Sequence, residues 1–170
     1  MLSEALKQRD DIAERWLDEA LSTYPAQAVA AWRRETDAFA NPVGHALREG
    51  IRALLAWFLD GTDAEAARAG LDRILQIRAV QGHSASEAVS FLFRLKGVVR
   101  AELGDSVQDP GVARGVAELD ARIDEMGLVA FDLYTAHRER LLELRVAELK
   151  RTIPWSVARM QASSAEKGPV

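Results

Sequence analysis

The chain has 170 residues and 18.7 kDa, enough for one domain with a core of its own and too few for two ordinary ones. Apolar residues make up 48% and charged residues 28%, which excludes wholesale disorder, and 22 basic residues against 26 acidic ones leave a formal charge of −4 and no basic field for nucleic acid. The absence of cysteine removes disulfide scaffolds, thiolate zinc sites, iron–sulfur ligation and thiol catalysis together.

Met1 to Asp11 is polar and charged where a signal peptide needs an apolar core, and no apolar run approaches a membrane span. A cytoplasmic protein without membrane insertion is expected. In the first block, from Ser3 to about Ser22, Ala13, Trp16, Leu17, Ala20 and Leu21 recur at helical steps, and Tyr24-Pro25 ends it. A second helix is expected from about Ala26 to Asp37. Asn41-Pro42 opens a third, where proline suits the first turn, with Val43, Leu47, Ile51, Leu54, Leu55 and Phe58 as its stripe and Gly61 as its stop. The fourth opens at Thr62-Asp63, carries Ala67, Leu71, Ile74 and Leu75, and stops at Gln81-Gly82.

Ser84 and Glu87 have capping-box spacing, so a fifth helix starts near Ala85. Its stripe of Ala88, Phe91, Leu92, Leu95, Val99 and Leu103, widened by Val89, Phe93 and Val98, predicts the most buried helix of the chain. Gly104 to Gly111 reads as a loop. From Val112 a long pattern runs through Val116, Leu119, Ile123, Met126, Ala130 and Leu133, with Gly127 as a candidate bend. It changes phase into Leu142, Val146, Leu149 and Ile153, whose steps approximate the 3.5-residue repeat of a seam that faces another helix. Pro154 should kink or end that helix, and Gln161 to Val170 reads as a disordered tail after a single helical domain over 1–160. No alternating, β-branched block occurs. The fold class expected is all-α, about six helices with a long carboxy-terminal one.

No serine, histidine and acid pattern suggests a nucleophile, so no enzyme is expected. His45, His83 and His137 have no helical ligand spacing, which argues against a metal or other cofactor. Trp16, Trp32, Trp57 and Trp155 read as core rather than as a cofactor box, and Arg94, Lys96 and Arg100 as a solvated or partner-facing edge rather than an anion site.

Certain strings carry a resemblance. Asn41-Pro42-Val43-Gly44, Ile77-Arg78-Ala79-Val80-Gln81 running into Ser84 to Phe91, Leu95-Lys96 with Arg100, Ala130-Phe131-Asp132-Leu133-Tyr134, Arg138-Glu139 and Glu143-Leu144-Arg145 resemble the amino-terminal domain of RsbRD-type RsbT co-antagonists, from about Trp16 to Arg151. The resemblance implies a helical input domain of bacterial stress signalling, related by fold to a globin without haem, that dimerises and leads by its last helix towards a phosphorylatable STAS domain. Similar stand-alone domains occur near genes of sulfite-reduction electron transfer. It marks Asn41, Pro42, Gly44, Arg78, Gln81, Lys96, Arg100, Asp132, Tyr134, Arg138, Glu139 and Arg145 as family-motif positions. His83 stands where the family pattern has an aromatic and Ala85 where it has proline, and this sequence stops before a STAS domain could begin.

The expectation that follows is a non-catalytic regulatory or adaptor module, homodimeric through Leu142, Val146, Leu149 and Ile153, that binds a protein partner. The alternative is a globin-like carrier or sensor of a small apolar ligand or haem, with His45 or His83 as the axial candidate.

Overall fold

The helices begin and end where local chemistry satisfies the backbone groups that a helix leaves unpaired. The computed structural model describes residues 2–35, 37 and 39–166, the side chains of Ser3 and of 153–166 excepted. Among the described residues there is no strand, and six helices longer than one turn carry the fold: α2 (Arg9–Leu21), α3 (Ala26–Arg34), α4 (Pro42–Asp60), α5 (Ala64–Val80), α6 (Ala85–Leu103) and α7 (Pro110–Glu166). A single turn, α1 (Leu2–Ala5), precedes them, so the block expected as one helix from Ser3 is two pieces hinged ahead of Arg9. The fully buried Leu6 lies in that hinge.

Asn41 organises the start of α4. Its side-chain oxygen accepts from the Gly44 amide at 2.9 Å, while its amide group donates to the Trp32 carbonyl at 2.8 Å and the Glu35 carbonyl at 3.0 Å, tying the end of α3 to α4. The second helix therefore stops at Arg34, three residues short of the expectation. Pro42 occupies the first turn, as its missing donor allows. Gly61, at φ 69°, closes α4 in the left-handed region, and Asp63 caps α5 by accepting from the Ala66 amide at 2.9 Å.

α4 and α5 form a close hairpin because each supplies a glycine at the crossing. A Cβ on Gly70 would stand 2.8 Å from the Gly50 Cα, so only hydrogen fits there. α6 packs against α2, α5 and α7 and buries Ala88, Val89, Phe91, Leu92, Leu95, Val98, Val99 and Leu103, as the breadth of its stripe predicts. Phe93 departs from that expectation: it is 42% exposed, because its ring lies at the α6–α7 edge over Gly127, where a Cβ would come within 2.5 Å of it. Gly127 thus admits a neighbouring ring inside α7. The segment after α6, expected as a loop from Gly104, makes a 3₁₀ turn over Gly104–Gln108 before α7 starts at Pro110.

α7 is the long carboxy-terminal helix, 57 residues, or roughly 85 Å at 1.5 Å per residue. It does not end at Pro154, because a proline costs one hydrogen bond without forbidding the turns on either side. Its first half closes the core with Val116, Leu119, Ile123, Ala130 and Tyr134. Trp16 is fully buried, and its indole nitrogen donates to the Phe91 carbonyl at 2.7 Å; Trp32 and Trp57 pack at the core margin. Ile153 and Trp155 lie outside the described side chains, and the tail expected from Gln161 passes, at 167–170, outside the described residues.

Candidate protein-interaction face

Two regions collect the marked residues. One is a buried joint centred on Arg78, where α2, α5 and α6 meet. Its guanidinium is fully buried and faces no carboxylate. It donates instead to carbonyls, to Ala20 at 2.7 Å, to Glu87 at 2.9 Å and to Ala88 at 3.3 Å, and it stacks 4.9 Å from the Phe91 ring centre and 5.7 Å from that of Tyr24. Arg78 Nε and the Tyr24 hydroxyl are the buried side-chain atoms there with no hydrogen-bond partner among the described residues. Burial pushes the guanidinium below its ordinary value and the Tyr24 phenol above its own, each partly offset by the other.

The turn beyond Arg78 is a Schellman motif. The His83 amide bonds the Arg78 carbonyl at 3.2 Å and the Gly82 amide bonds the Ala79 carbonyl at 3.2 Å, with Gln81 as the cap and Gly82 at φ 80°. The His83 ring then covers Tyr24, centres 5.0 Å apart. Burial first and the Arg78 charge second lower its pKa, against a smaller upward pull from Glu87. The capping box of Ser84 and Glu87 is complete. Tyr134 donates to the His83 carbonyl and Arg138 to the Ala79 carbonyl at 3.2 Å, so α7 is fastened to this same turn. Asn41, Pro42, Gly44, Arg78, Gln81, Tyr134 and Arg138 all stand at such joints. Sequence reasoning marked Arg78 without foreseeing its burial, since arginine in a helix ordinarily reads as surface.

Lys96 and Arg100 stand on the outer side of α6 and meet acids of α7: Lys96 pairs with Asp124 at 2.6 Å and Arg100 with Asp120. Arg94 pairs with Glu19 at 2.8 Å, so each of the three cations on this edge faces a carboxylate. His137 meets Asp72 at 2.9 Å and His45 meets Glu49 at 3.1 Å. Among the described residues no three His, Cys, Asp or Glu side chains gather as metal ligands, and no helix is long and apolar enough to cross a membrane.

The second region is an uncovered apolar face. Between α6 and α7 an open groove of about 750 Å³ is lined by Ala85, Val89, Phe93, Gly127, Leu128 and Phe131, with Ser86 and Ser90 at its rim. Leu128 is 73% exposed and Phe131 52%. Further along α7, Leu142, Val146 and Leu149 are exposed, and so is every side chain from Leu142 to Thr152. Asp132, Glu139 and Arg145 are exposed on this stretch too. No sequence signal marked the groove, because Phe93 and Leu128 have core chemistry and only the tertiary arrangement leaves them open.

Family comparison decides the identity of the fold. The profile described as the RsbT co-antagonist protein rsbRD N-terminal domain matches residues 10–149. The chain belongs to the RsbRD N-terminal domain family. The family is a regulatory input domain of stress signalling, and the match runs from the start of α2 to the end of the exposed apolar stripe of α7. No curated protein and no solved structure matches the chain.

Proposed function

We propose that this RsbRD-family chain is a non-catalytic regulatory or adaptor module of the cytoplasm that forms a homodimer and passes a signal to a protein partner through α7. The single observation that carries the reading is the stretch of α7 from Leu142 to Thr152, which leaves the body of the domain and exposes large aliphatic side chains on a mostly charged helix. A helix projecting without tertiary cover is marginal in water, and apolar side chains repeated at three and four residues favour a partner helix. Leu142, Val146 and Leu149, with Ile153 next in register, supply the contact.

The alternative, a globin-like carrier of haem or a small apolar ligand, has less support. His45 is a half-buried residue paired with Glu49, and the His83 ring packs tilted against Tyr24 and is not among the residues that line the apolar groove. Light scattering tests the first reading: a dimer is expected, and a monomer at high concentration overturns it. Affinity capture from the native cell lysate, run with the unchanged chain and with Leu142→Glu/Leu149→Glu, tests the partner: a protein retained by both equally would not be bound through this stripe. A Soret band after expression with a haem precursor would move the reading to the carrier.

A further inference from the structure

Where α7 leaves the body of the domain, it is held by the turn that joins α5 to α6. Tyr134 is the last buried side chain of α7 among the described ones, and from Leu142 to Thr152 every side chain is exposed. The Tyr134 hydroxyl donates to the His83 carbonyl, and one turn further on Arg138 donates to the Ala79 carbonyl at 3.2 Å. Both acceptors belong to the turn from Ala79 to His83. Gly82 is its pivot: its φ of 80° suits glycine, and a Cβ there would meet nothing within 4 Å, so the turn has open space on that side.

His83 is the only ionisable side chain of that turn, and charged groups meet it unevenly. Its half-buried ring is tilted against Tyr24, from the connection between α2 and α3, with centres 5.0 Å apart. From α5, the buried Arg78 guanidinium lies 5.7 Å from the centre of that same Tyr24 ring and faces no carboxylate among the described residues. From α6 comes Glu87, but its carboxylate is exposed and already accepts from the Ser84 amide and hydroxyl, each at 2.8 Å. From α7 come Tyr134 and Arg138, whose donors are engaged on carbonyls of the turn. A proton on His83 therefore meets an unpaired cation on the buried side and a carboxylate screened by solvent on the outer side. Burial and the Arg78 charge accordingly hold its pKa below the ordinary 6.5.

We infer that His83 is a proton-operated latch on α7. The neutral ring keeps the turn seated on Tyr24 with Tyr134 and Arg138 bonded to it; the protonated ring leaves for solvent, swings the turn about Gly82 and releases this end of α7. Once the turn is open the imidazole regains water and titrates near its ordinary value, so acid favours the open form. The closed form holds above about pH 6.5 and gives way as pH falls through the lower value of the seated ring. His137 of α7 pairs with Asp72 at 2.9 Å, and a proton on it strengthens that pair, so it does not account for a loosening in acid. The latch lies within one chain. It is therefore independent of the homodimer proposed above, and it adds an input to the helix that the proposed function makes the output.

The lack of native cysteine lets nitroxide labels be placed where they are wanted. Val80→Cys with Ala136→Cys puts one label on the turn and one on α7, both at exposed positions, and Gln81→Cys with Asp132→Cys repeats the design. The distance between labels is measured in the full chain at about pH 7.5 and about pH 5.5, with labelled chains diluted in unlabelled ones so that only distances within a chain are read. One distance is expected at the upper pH, and a second, longer and reversible one at the lower pH, with the helical circular dichroism unchanged. His83→Phe keeps a ring against Tyr24 and His83→Gln keeps a polar side chain; in either, the longer distance should be missing at the lower pH. A single distance at both pH values in the parent pairs overturns the latch. A longer distance that persists in the His83 variants also overturns it, since another group such as Glu87 would then be responsible. So does loss of the helical signal at about pH 5.5, because acid would then unfold the domain and not the turn.

Discussion

The joint around Arg78 and the outer half of α7 use the same kinds of residue in opposite ways. At the joint a cation is withdrawn from water and its hydrogen bonds go to three main-chain carbonyls on two other helices, so charge serves to fix helix ends against one another. On α7 beyond Leu141, cations and acids stay in solvent while leucines and a valine are left bare. The first region closes the domain upon itself, and the second holds back a surface that one copy of the chain does not satisfy. Burial of charge marks where the fold is decided; exposure of apolar side chains marks where another molecule is expected.

The comparison breaks most sharply at Arg78. Arg78→Ala removes a large buried side chain and its charge-assisted hydrogen bonds to the Ala20, Glu87 and Ala88 carbonyls, and it should lower stability by about 3–5 kcal/mol in urea denaturation, on the scale of Leu95→Ala, for which about 2–5 kcal/mol is expected. A loss below about 1 kcal/mol would show that the joint does not hold the helices. Gly70→Ala comes next. Its Cβ would meet the Gly50 backbone, which has no side chain to rotate away, so about 1–3 kcal/mol should be lost as α4 and α5 are forced apart.

His83 sharpens the contrast by its pH dependence. Its folded-state pKa lies below the ordinary 6.5, so the unfolded chain takes up the proton first. The stabilisation from the neutral ring is therefore complete above about pH 6.5 and is lost as pH falls from there through the folded-state value. His83→Gln should flatten the stability profile in that window, measured as the urea midpoint against pH; an unchanged slope would mean that His83 is not the group responsible. Glu87 acts separately and lower. The capping-box hydrogen bonds from Ser84 hold its carboxyl below the ordinary range, so its contribution is present above about pH 4.5 and fades as pH falls through the folded-state value.

The smallest effect on folding belongs to the exposed stripe. Leu142→Glu/Leu149→Glu should change the stability of the domain body by no more than about 0.5 kcal/mol while light scattering shows dimer becoming monomer. Unfolding of the variant would place the stripe in a core instead.

Much of the fold was legible in the sequence because its signals are local. Asn41-Pro42, Asp60-Gly61, Asp63, Ser84 with Glu87 and the stripe of α6 each act within a turn or two of helix, and each stands where its spacing predicts. The break after Ala5 was not legible, since a helical period continues across it and only the seating of Leu2 against Gly115 of α7 distinguishes the two pieces. The positions of Phe93 and Arg78 likewise depended on which helices meet there. A phenylalanine on a broad stripe reads as core until a neighbouring glycine leaves its ring at an edge, and an arginine reads as surface until carbonyls from two other helices surround it. Sequence alone thus determined the helices, their caps and the family, because hydrogen bonding and apolar period are properties of neighbours along the chain. Tertiary structure decided which apolar residues are covered and that the Arg78 charge is buried, because burial depends on what lies opposite in space, which no local pattern encodes.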